Sequence, residues 1–118
     1  WFQPGGHADG DTNLAGVALR EASEETGIDG LRVLPDPIDV DVHLVEPPGE
    51  PAHLHLDTRF LVVAPEGAIE VANEESLGLR WVTEADLALL DPPIDPGTRR
   101  LVTAGLARAR SLLRPDAG

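Results

Sequence analysis

The sequence predicts an α+β domain, on the evidence of three patterns of residues. Residues 14–26 carry small and apolar side chains at helical spacing. Two segments, 38–45 and 53–62, alternate apolar and polar side chains, which is typical of half-buried strands. Residues from about 98 to 113 have the length and pattern of a terminal helix. Because the chain has 118 residues, we expect these elements to form one domain.

The predicted helix 14–26 has signals at both ends. Asp11, Thr12 and Asn13 are all residue types that cap helix N-termini. Gly27 suits the left-handed position that ends a helix. Small apolar residues share one face and suit packing against a sheet: Ala15, Ala18, Leu19 and Ala22.

The two alternating segments flank a turn cluster, 46–51, so we expect them to pair as a hairpin. Their apolar side chains are expected to face the core: Ile38, Val40, Val42, Leu44, Leu54, Leu56, Phe60 and Val62. Further along, residues 79–82 predict a short strand, and Thr83 is expected to cap a helix over 84–90. At the start of the chain, residues 1–3 predict the end of a strand, which Pro4-Gly5-Gly6 breaks.

Composition narrows the classes of function. The chain has 21 acidic and 9 basic residues and a formal charge of −12, which repels nucleic acids and polyphosphates. An anionic ligand therefore needs a local group that offsets this negative charge. The absence of Cys excludes disulfides, thiolate zinc sites and cysteine nucleophiles. The longest apolar run, 60–64, is too short to cross a bilayer. We expect a cytoplasmic protein without a nucleic-acid or membrane partner.

Three glutamates lie on one side of the predicted helix 14–26. At about 100° per residue, Glu21, Glu24 and Glu25 fall within an arc of about 100°. Two carboxylates about 4 Å apart repel by about 4 kcal/mol at an effective dielectric constant of about 20, so a converging trio binds protons or a cation. Hard oxygen ligands select Mg²⁺ or Mn²⁺, and Mg²⁺ commonly bridges carboxylates and phosphates. The alternative is a solvated acidic face.

The segment 6–28 resembles the Nudix box, the motif of Nudix hydrolases (MutT-like domains). That motif reads Gly, five spacers, Glu, seven spacers, then Arg-Glu-aliphatic-any-Glu-Glu-any-Gly-aliphatic. The matching positions are Gly6, Arg20, Glu21, Glu24, Glu25, Gly27 and Ile28. From ordinary residue frequencies, the exact matches would arise by chance with a probability on the order of 10⁻⁵. Residues 79–87 resemble, more weakly, the strand-to-helix step late in Nudix domains.

Two positions depart from the Nudix box. Ala22 stands where Ile, Leu or Val is usual, and Thr12 occupies the position of the first Glu. In Nudix proteins that Glu typically pairs with the box Arg, so Arg20 lacks its usual partner. We hypothesise that Asp9 or Asp11, in the same loop, accepts from the Arg20 guanidinium instead.

The resemblance implies a Nudix fold, an α/β/α sandwich with a mixed β-sheet. Residues 1–118 would form a single domain of this type. Because the fold requires a strand before the box and the chain starts at Trp1 without any Met, we expect one or more N-terminal strands to be missing.

The resemblance also implies a reaction. Glu21, Glu24 and Glu25, with a backbone carbonyl of the Gly5-Gly6 turn, would hold one or more Mg²⁺ or Mn²⁺ ions. The box arginine, Arg20, would orient these acids. The substrate would be a nucleotide-type small molecule, a nucleoside diphosphate linked to another moiety, and water would attack its pyrophosphate bond.

Two further acids, Glu74 and Glu75, lie in a loop where several Nudix proteins carry an additional metal ligand or base. The alternative is that both are exposed loop acids.

Histidines predict a second metal site. His53, His55 and Asp57 share one strand face at the period of two, and imidazole favours zinc, manganese or iron over magnesium. A fainter resemblance to isopentenyl-diphosphate isomerases, which share the Nudix fold, implies a site at His7, His55 and Asp57. The alternative is the polar outer face of an edge strand.

Three classes of protein therefore stay open, with hydrolysis favoured by the three box acids. The isomerases use a catalytic Cys, which this chain lacks. A catalytically inactive Nudix-like binding or regulatory domain is conceivable because of Thr12. A homodimer is also an open possibility.

Overall fold

The computed structural model describes residues 3–69 and 78–113, which contain three helices and four short strands. Their mixture confirms the α+β class. No helix in these residues is long and apolar enough to cross a membrane. Trp1 and Phe2, predicted to end a strand, lie outside the described residues. In chain order the elements are α1 (Leu14–Thr26), β1 (Arg32–Val33), β2 (Asp39–Val45), β3 (His53–Arg59), β4 (Val62–Val63), α2 (Glu84–Leu87) and α3 (Pro96–Leu113).

Helix α1 has the bounds that the sequence predicts, because its own residues cap both ends. The Asn13 side chain accepts a hydrogen bond from Gly16 N–H at 3.1 Å. Gly27 adopts the left-handed conformation (φ 66°, ψ 15°) and donates its N–H to Ser23 O at 3.0 Å. Such caps satisfy backbone groups that a helix end leaves unpaired.

Helices α2 and α3 also begin at capping residues, but their bounds differ from the prediction. Thr83 accepts from Asp86 N–H at 3.2 Å, and α2 ends at Leu87 instead of Leu90. Helix α3 begins two residues earlier than predicted, at Pro96, because Asp95 caps it and Pro suits the first helical position. The Thr98 hydroxyl and the Thr98 backbone N–H both donate to the Asp95 carboxylate and lower its pKa below the usual range.

The strands form two separate antiparallel pairs. Strands β2 and β3 make the predicted hairpin, with Asp39 opposite Arg59 and His43 opposite His55, while β1 pairs with β4. The mixed sheet is not found within residues 3–69 and 78–113, where both pairings are antiparallel. Residues 79–82, predicted as a strand, pair with no strand in this part of the chain. A mixed sheet needs at least one pair of parallel strands, and the described residues contain none.

The hairpin exposes the face that was predicted to be buried. Its apolar side chains are 56–69% exposed, whereas most of its polar side chains on the opposite face are half-buried. The exposed apolar residues are Val40, Val42, Leu44, Leu54 and Leu56. The prediction was wrong here because alternation identifies the residues that share a face but not the face that other elements cover.

The core is small and lies beside α1 and α3. Five apolar side chains of the described residues are buried: Val17, Ala22, Ile28, Leu90 and Leu101. Helix α1 packs against β1 and β4. Helix α3 lies near Ile38 and Leu61, whose Cδ1 atoms would be at ordinary contact distances of 3.5 and 3.9 Å from a Cβ at Gly105. The core therefore holds α1 in place next to the loop that precedes it.

Candidate functional site

The loop before α1 reverses direction in a tight turn. Asp9 and Gly10 both have positive φ angles, 50° and 85°, and Asp11 N–H donates to Ala8 O at 3.0 Å. Two successive positive φ angles define a type I′ turn, which Asp-Gly sequences favour. The Asp11 carboxylate then accepts from Asn13 N–H at 2.9 Å, so this loop is connected to the helix cap.

Two glycines of the loop before α1, which we call the glycine loop, contact carboxylates of α1. Gly5 N–H donates to Glu25 Oε2 at 3.1 Å. At Gly6, an added Cβ would lie only 2.6 Å from Glu21 Cδ and 2.8–2.9 Å from both Glu21 carboxylate oxygens. Only glycine allows the backbone to approach this closely. The loop and the acidic face of the helix therefore form one site.

The donor set of this site fits a hard divalent cation. Glu21 and Glu25 are half-buried and Glu24 is exposed, so the three carboxylates of this side of α1 lie at or near the surface. Arg20 Nη2 lies 3.9 Å from Glu21 Oε1. Carboxylate oxygens are ligands that Mg²⁺ and Mn²⁺ accept.

Arg20 does not have the partner that we hypothesised. Among the described residues, neither Asp9 nor Asp11 forms an ion pair with it, and its recorded contact is with the adjacent Glu21. Asp11 is used instead to accept from the backbone of Asn13. The hypothesis was wrong because the type I′ turn and the helix cap already determine where this carboxylate lies.

Four further residues were predicted for the site, two in the box and two in a later loop. Thr12 is exposed in the loop, and Gly27 ends α1. Glu74 and Glu75 lie outside the described residues, so their role as ligand or base stays a prediction.

The other three histidines of the chain surround His55. The ring centroids of His7, His43 and His53 lie 5.8, 5.6 and 5.8 Å from that of His55, all edge to face. His7 belongs to the loop before α1, whereas the others lie on the hairpin. The histidine cluster therefore lies next to the glycine loop.

One histidine that the sequence did not select belongs to the group with metal-ligand spacing. His43, His55 and Asp57 each offer a ligand atom, and these atoms lie within 4.8 Å of one another. His7, predicted as the third member beside His55 and Asp57, is not part of this trio. The signal that would have identified His43 is the hairpin register, because it places His43 directly opposite His55.

An ionic network lies beside the histidines. Arg59 Nη1 is 2.9 Å from Asp39 Oδ2, and Arg100 Nη2 of α3 lies 3.4 Å from the same oxygen. Arg59 Nη2 is also 4.0 Å from Asp41 Oδ2 and 3.8 Å from Asp57 Oδ2. These contacts connect the polar face of the hairpin to α3. They explain why this face, instead of the apolar one, is partly covered.

The fold and the site together define a class of protein: an α+β domain in which a glycine loop closes onto an acidic helix face. A family model described as NUDIX domain matches residues 1–104, and the chain belongs to the Nudix family. No curated protein matches it. Membership supports a pyrophosphohydrolase-type function acting on a small molecule, and Nudix proteins generally use divalent metal ions.

Proposed function

We propose that the protein is a Mg²⁺- or Mn²⁺-dependent hydrolase that cleaves the pyrophosphate bond of a nucleoside diphosphate linked to another moiety. The observation that carries this proposal is the contact between the glycine loop and two carboxylates of α1. Gly5 donates to Glu25, and Gly6 lies against Glu21. The loop backbone thus lies directly against the acidic face of α1.

The acids of α1 have the main role in this proposal. Glu24 and Glu25 are the first choices as ligands of the divalent ion, and Glu21 is a third ligand or the base that accepts the proton of the attacking water. A bound divalent ion would supply positive charge against the diphosphate and make water a stronger nucleophile. This charge is needed because a protein with a net charge of −12 repels its substrate.

Arg20 and the two glycines have supporting roles. Arg20 lies 3.9 Å from Glu21 Oε1 and restricts the positions that this carboxylate can take. Gly5 holds Glu25 through a backbone N–H, which needs no side chain and is therefore fixed by the loop conformation. Water attacks a phosphorus atom, the bond from phosphorus to the bridging oxygen breaks, and the products are two phosphate-containing fragments.

The test is to replace Glu24 by Gln and measure turnover with Mg²⁺. The full chain is incubated with nucleoside triphosphates, dinucleoside polyphosphates, ADP-ribose, nucleotide sugars and isopentenyl diphosphate, and the products are separated. Loss of one ligand charge is expected to reduce turnover by about 100-fold or more. Glu24 is exposed and outside the core, so the circular dichroism spectrum and thermal midpoint are expected to stay close to wild type.

The matched control is Glu66→Gln, which removes the same charge from an exposed turn and is expected to leave turnover unchanged. Wild-type turnover in Glu24→Gln would contradict the proposal. Migration of the double bond in isopentenyl diphosphate without phosphate release would instead indicate an isomerase. Binding of a nucleotide without any product would indicate a catalytically inactive domain.

A further inference from the structure

We propose that His43, His55 and Asp57 form a binding site for a divalent transition metal ion of the zinc class, separate from the carboxylates of α1. The proposal does not depend on the hydrolase activity. It rests on the geometry of the hairpin β2–β3. The potential ligand atoms of His43, His55 and Asp57 lie within 4.8 Å of one another, although the three residues come from two strands.

The hairpin holds the three side chains on one face. His55 and Asp57 are two residues apart on β3, and side chains at that spacing point to the same side of a strand. His43 is paired directly with His55 across the ladder, where opposite Cβ atoms lie about 5 Å apart. The antiparallel register therefore brings the ligands together without any loop, which lowers the entropic cost of forming a site.

The donor set selects the kind of ion. Two imidazoles and one carboxylate suit Zn²⁺, Mn²⁺ or Fe²⁺ better than Mg²⁺, which prefers oxygen ligands alone. Around a tetrahedral zinc with bonds of about 2.1 Å, ligand atoms are about 3.4 Å apart. Since the ligand atoms lie within 4.8 Å of one another, the trio has to close by at most about 1.4 Å. His43 is exposed and the other two are half-buried, so none of the three side chains is fixed in a packed core.

Neighbouring groups orient the trio and leave a net negative charge. With its proton on Nδ1, His43 donates to Asp41 Oδ2 at 3.2 Å, which leaves Nε2 as the nitrogen that can bind a metal ion. A carboxylate that orients an imidazole is a common second layer of metal sites. Asp39, Asp41 and Asp57 carry three negative charges, against which Arg59 and Arg100 supply two positive ones. A divalent cation would compensate the remainder.

The best rival for the Asp57 carboxylate is Arg59. Its Nη2 is 3.8 Å from Asp57 Oδ2, but its Nη1 already has a closer partner in Asp39 at 2.9 Å. Asp57 can therefore turn towards the imidazoles while Arg59 keeps its ion pair with Asp39. Binding of a cation by Asp57 therefore does not require the loss of the Arg59–Asp39 ion pair.

The experiment uses Co²⁺ as a visible probe for a zinc-type site. The full chain is kept in excess Mg²⁺, which occupies oxygen-only sites, and Co²⁺ is titrated while the visible absorption is recorded. We expect one equivalent to bind with the absorption of a nitrogen-ligated ion, and Zn²⁺ to displace it. His43→Ala, His55→Ala and Asp57→Asn are each expected to weaken binding by about 100-fold or more.

Matched variants separate this site from the helix acids and from misfolding. His53→Ala removes an imidazole from the same strand, and its Nδ1 donates to Pro51 O at 3.0 Å rather than to the trio. This variant and Glu24→Gln are expected to bind Co²⁺ as wild type does. His55→Gln keeps a polar side chain on the strand, and a wild-type thermal midpoint with lost Co²⁺ binding would support the proposal.

Two results would overturn the proposal: wild-type affinity in the His43 and His55 variants, or loss of the Co²⁺ spectrum in Glu24→Gln alone. The second result would assign the probe to the carboxylates of α1. Neither outcome bears on whether the protein hydrolyses pyrophosphate bonds, so failure of the two proposals can be distinguished.

Discussion

Helix α1 and the hairpin β2–β3 are both amphipathic, yet they are covered on opposite kinds of face. In α1, Ala22 of the predicted apolar face is buried and the rest of that face is half-buried, although Val17, which is also buried, lies on the side of the glutamates. In the hairpin the apolar side is 56–69% exposed, and the side with acids, histidines and Arg59 is the half-buried one. The same kind of sequence pattern therefore predicted the covered face of α1 except for Val17, but predicted the wrong face of the hairpin.

The difference comes from what lies next to each element. Helix α1, which contributes Val17 and Ala22 to the core, packs against the strands β1 and β4. On the hairpin, Arg59 and Asp39 pair with each other and with Arg100 of α3, and His7 of the loop touches His55. The contacts that other elements make with the hairpin are therefore on its polar face.

The largest expected effect compares the same substitution in the two regions. Leu101 of α3 is 8% exposed and Leu56 of the hairpin is 64% exposed. Leu101→Ala removes buried methyl groups and is expected to lower the free energy of unfolding by about 3 kcal/mol. Leu56→Ala is expected to change it by less than about 0.5 kcal/mol. Urea unfolding followed by circular dichroism measures both values.

Equal losses in the two variants would show that the apolar face of the hairpin is covered in solution. The contrast between the two regions would then be wrong. A loss confined to Leu101→Ala would support it.

The next effect concerns the contact between the glycine loop and α1. A Cβ at Gly6 would lie 2.6 Å from Glu21 Cδ, whereas a Cβ at Gly5 would meet nothing within 4 Å. Gly6→Ala must therefore displace either the loop or the Glu21 carboxylate. We expect a fall in turnover of about 100-fold, since small misplacements of catalytic groups have effects of this size.

Gly5→Ala is the matched control, because it retains the N–H that donates to Glu25. It is expected to keep turnover within a few-fold of wild type. If both variants were equally active, the close approach of Gly6 to Glu21 would have no part in catalysis.

The smallest effect tests the local capping of α1. The Asn13 side chain accepts from Gly16 N–H, so Asn13→Ala is expected to lower the free energy of unfolding by about 1 kcal/mol. Thr12→Ala, one residue earlier in the exposed loop, is expected to change it by less than about 0.5 kcal/mol. Thermal unfolding of the two variants under identical conditions makes the comparison. A larger loss of stability in Thr12→Ala than in Asn13→Ala would show that Thr12, and not Asn13, caps the helix.

Local patterns predicted much of the fold, because the interactions involved lie within a few residues of each other. The helix 14–26 was predicted with correct bounds since Asn13 and Gly27 cap it through contacts three or four residues away. The hairpin was predicted from alternation and from the turn cluster between its strands. The box acids were selected by spacing, and the structure places Glu21 and Glu25 under the loop as a single site.

Features that depend on distant contacts were predicted less well. Residues 79–82 were predicted to form a short strand but pair with no strand in the described part of the chain. A strand exists only when another backbone accepts and donates its hydrogen bonds, and the sequence of one segment does not specify that partner. The partner of Arg20 was also missed, because competing hydrogen bonds determine the position of Asp11.

The sequence by itself determined the caps of α1, the pairing of the hairpin and the box of acids, since each is encoded in neighbouring residues. Only the tertiary structure decided which face of the hairpin is covered and that His43, rather than His7, joins His55 and Asp57. The physical reason is that these outcomes depend on the balance of contacts between elements far apart in the chain. Periodicity specifies which side chains share a face, but long-range packing selects what each face meets.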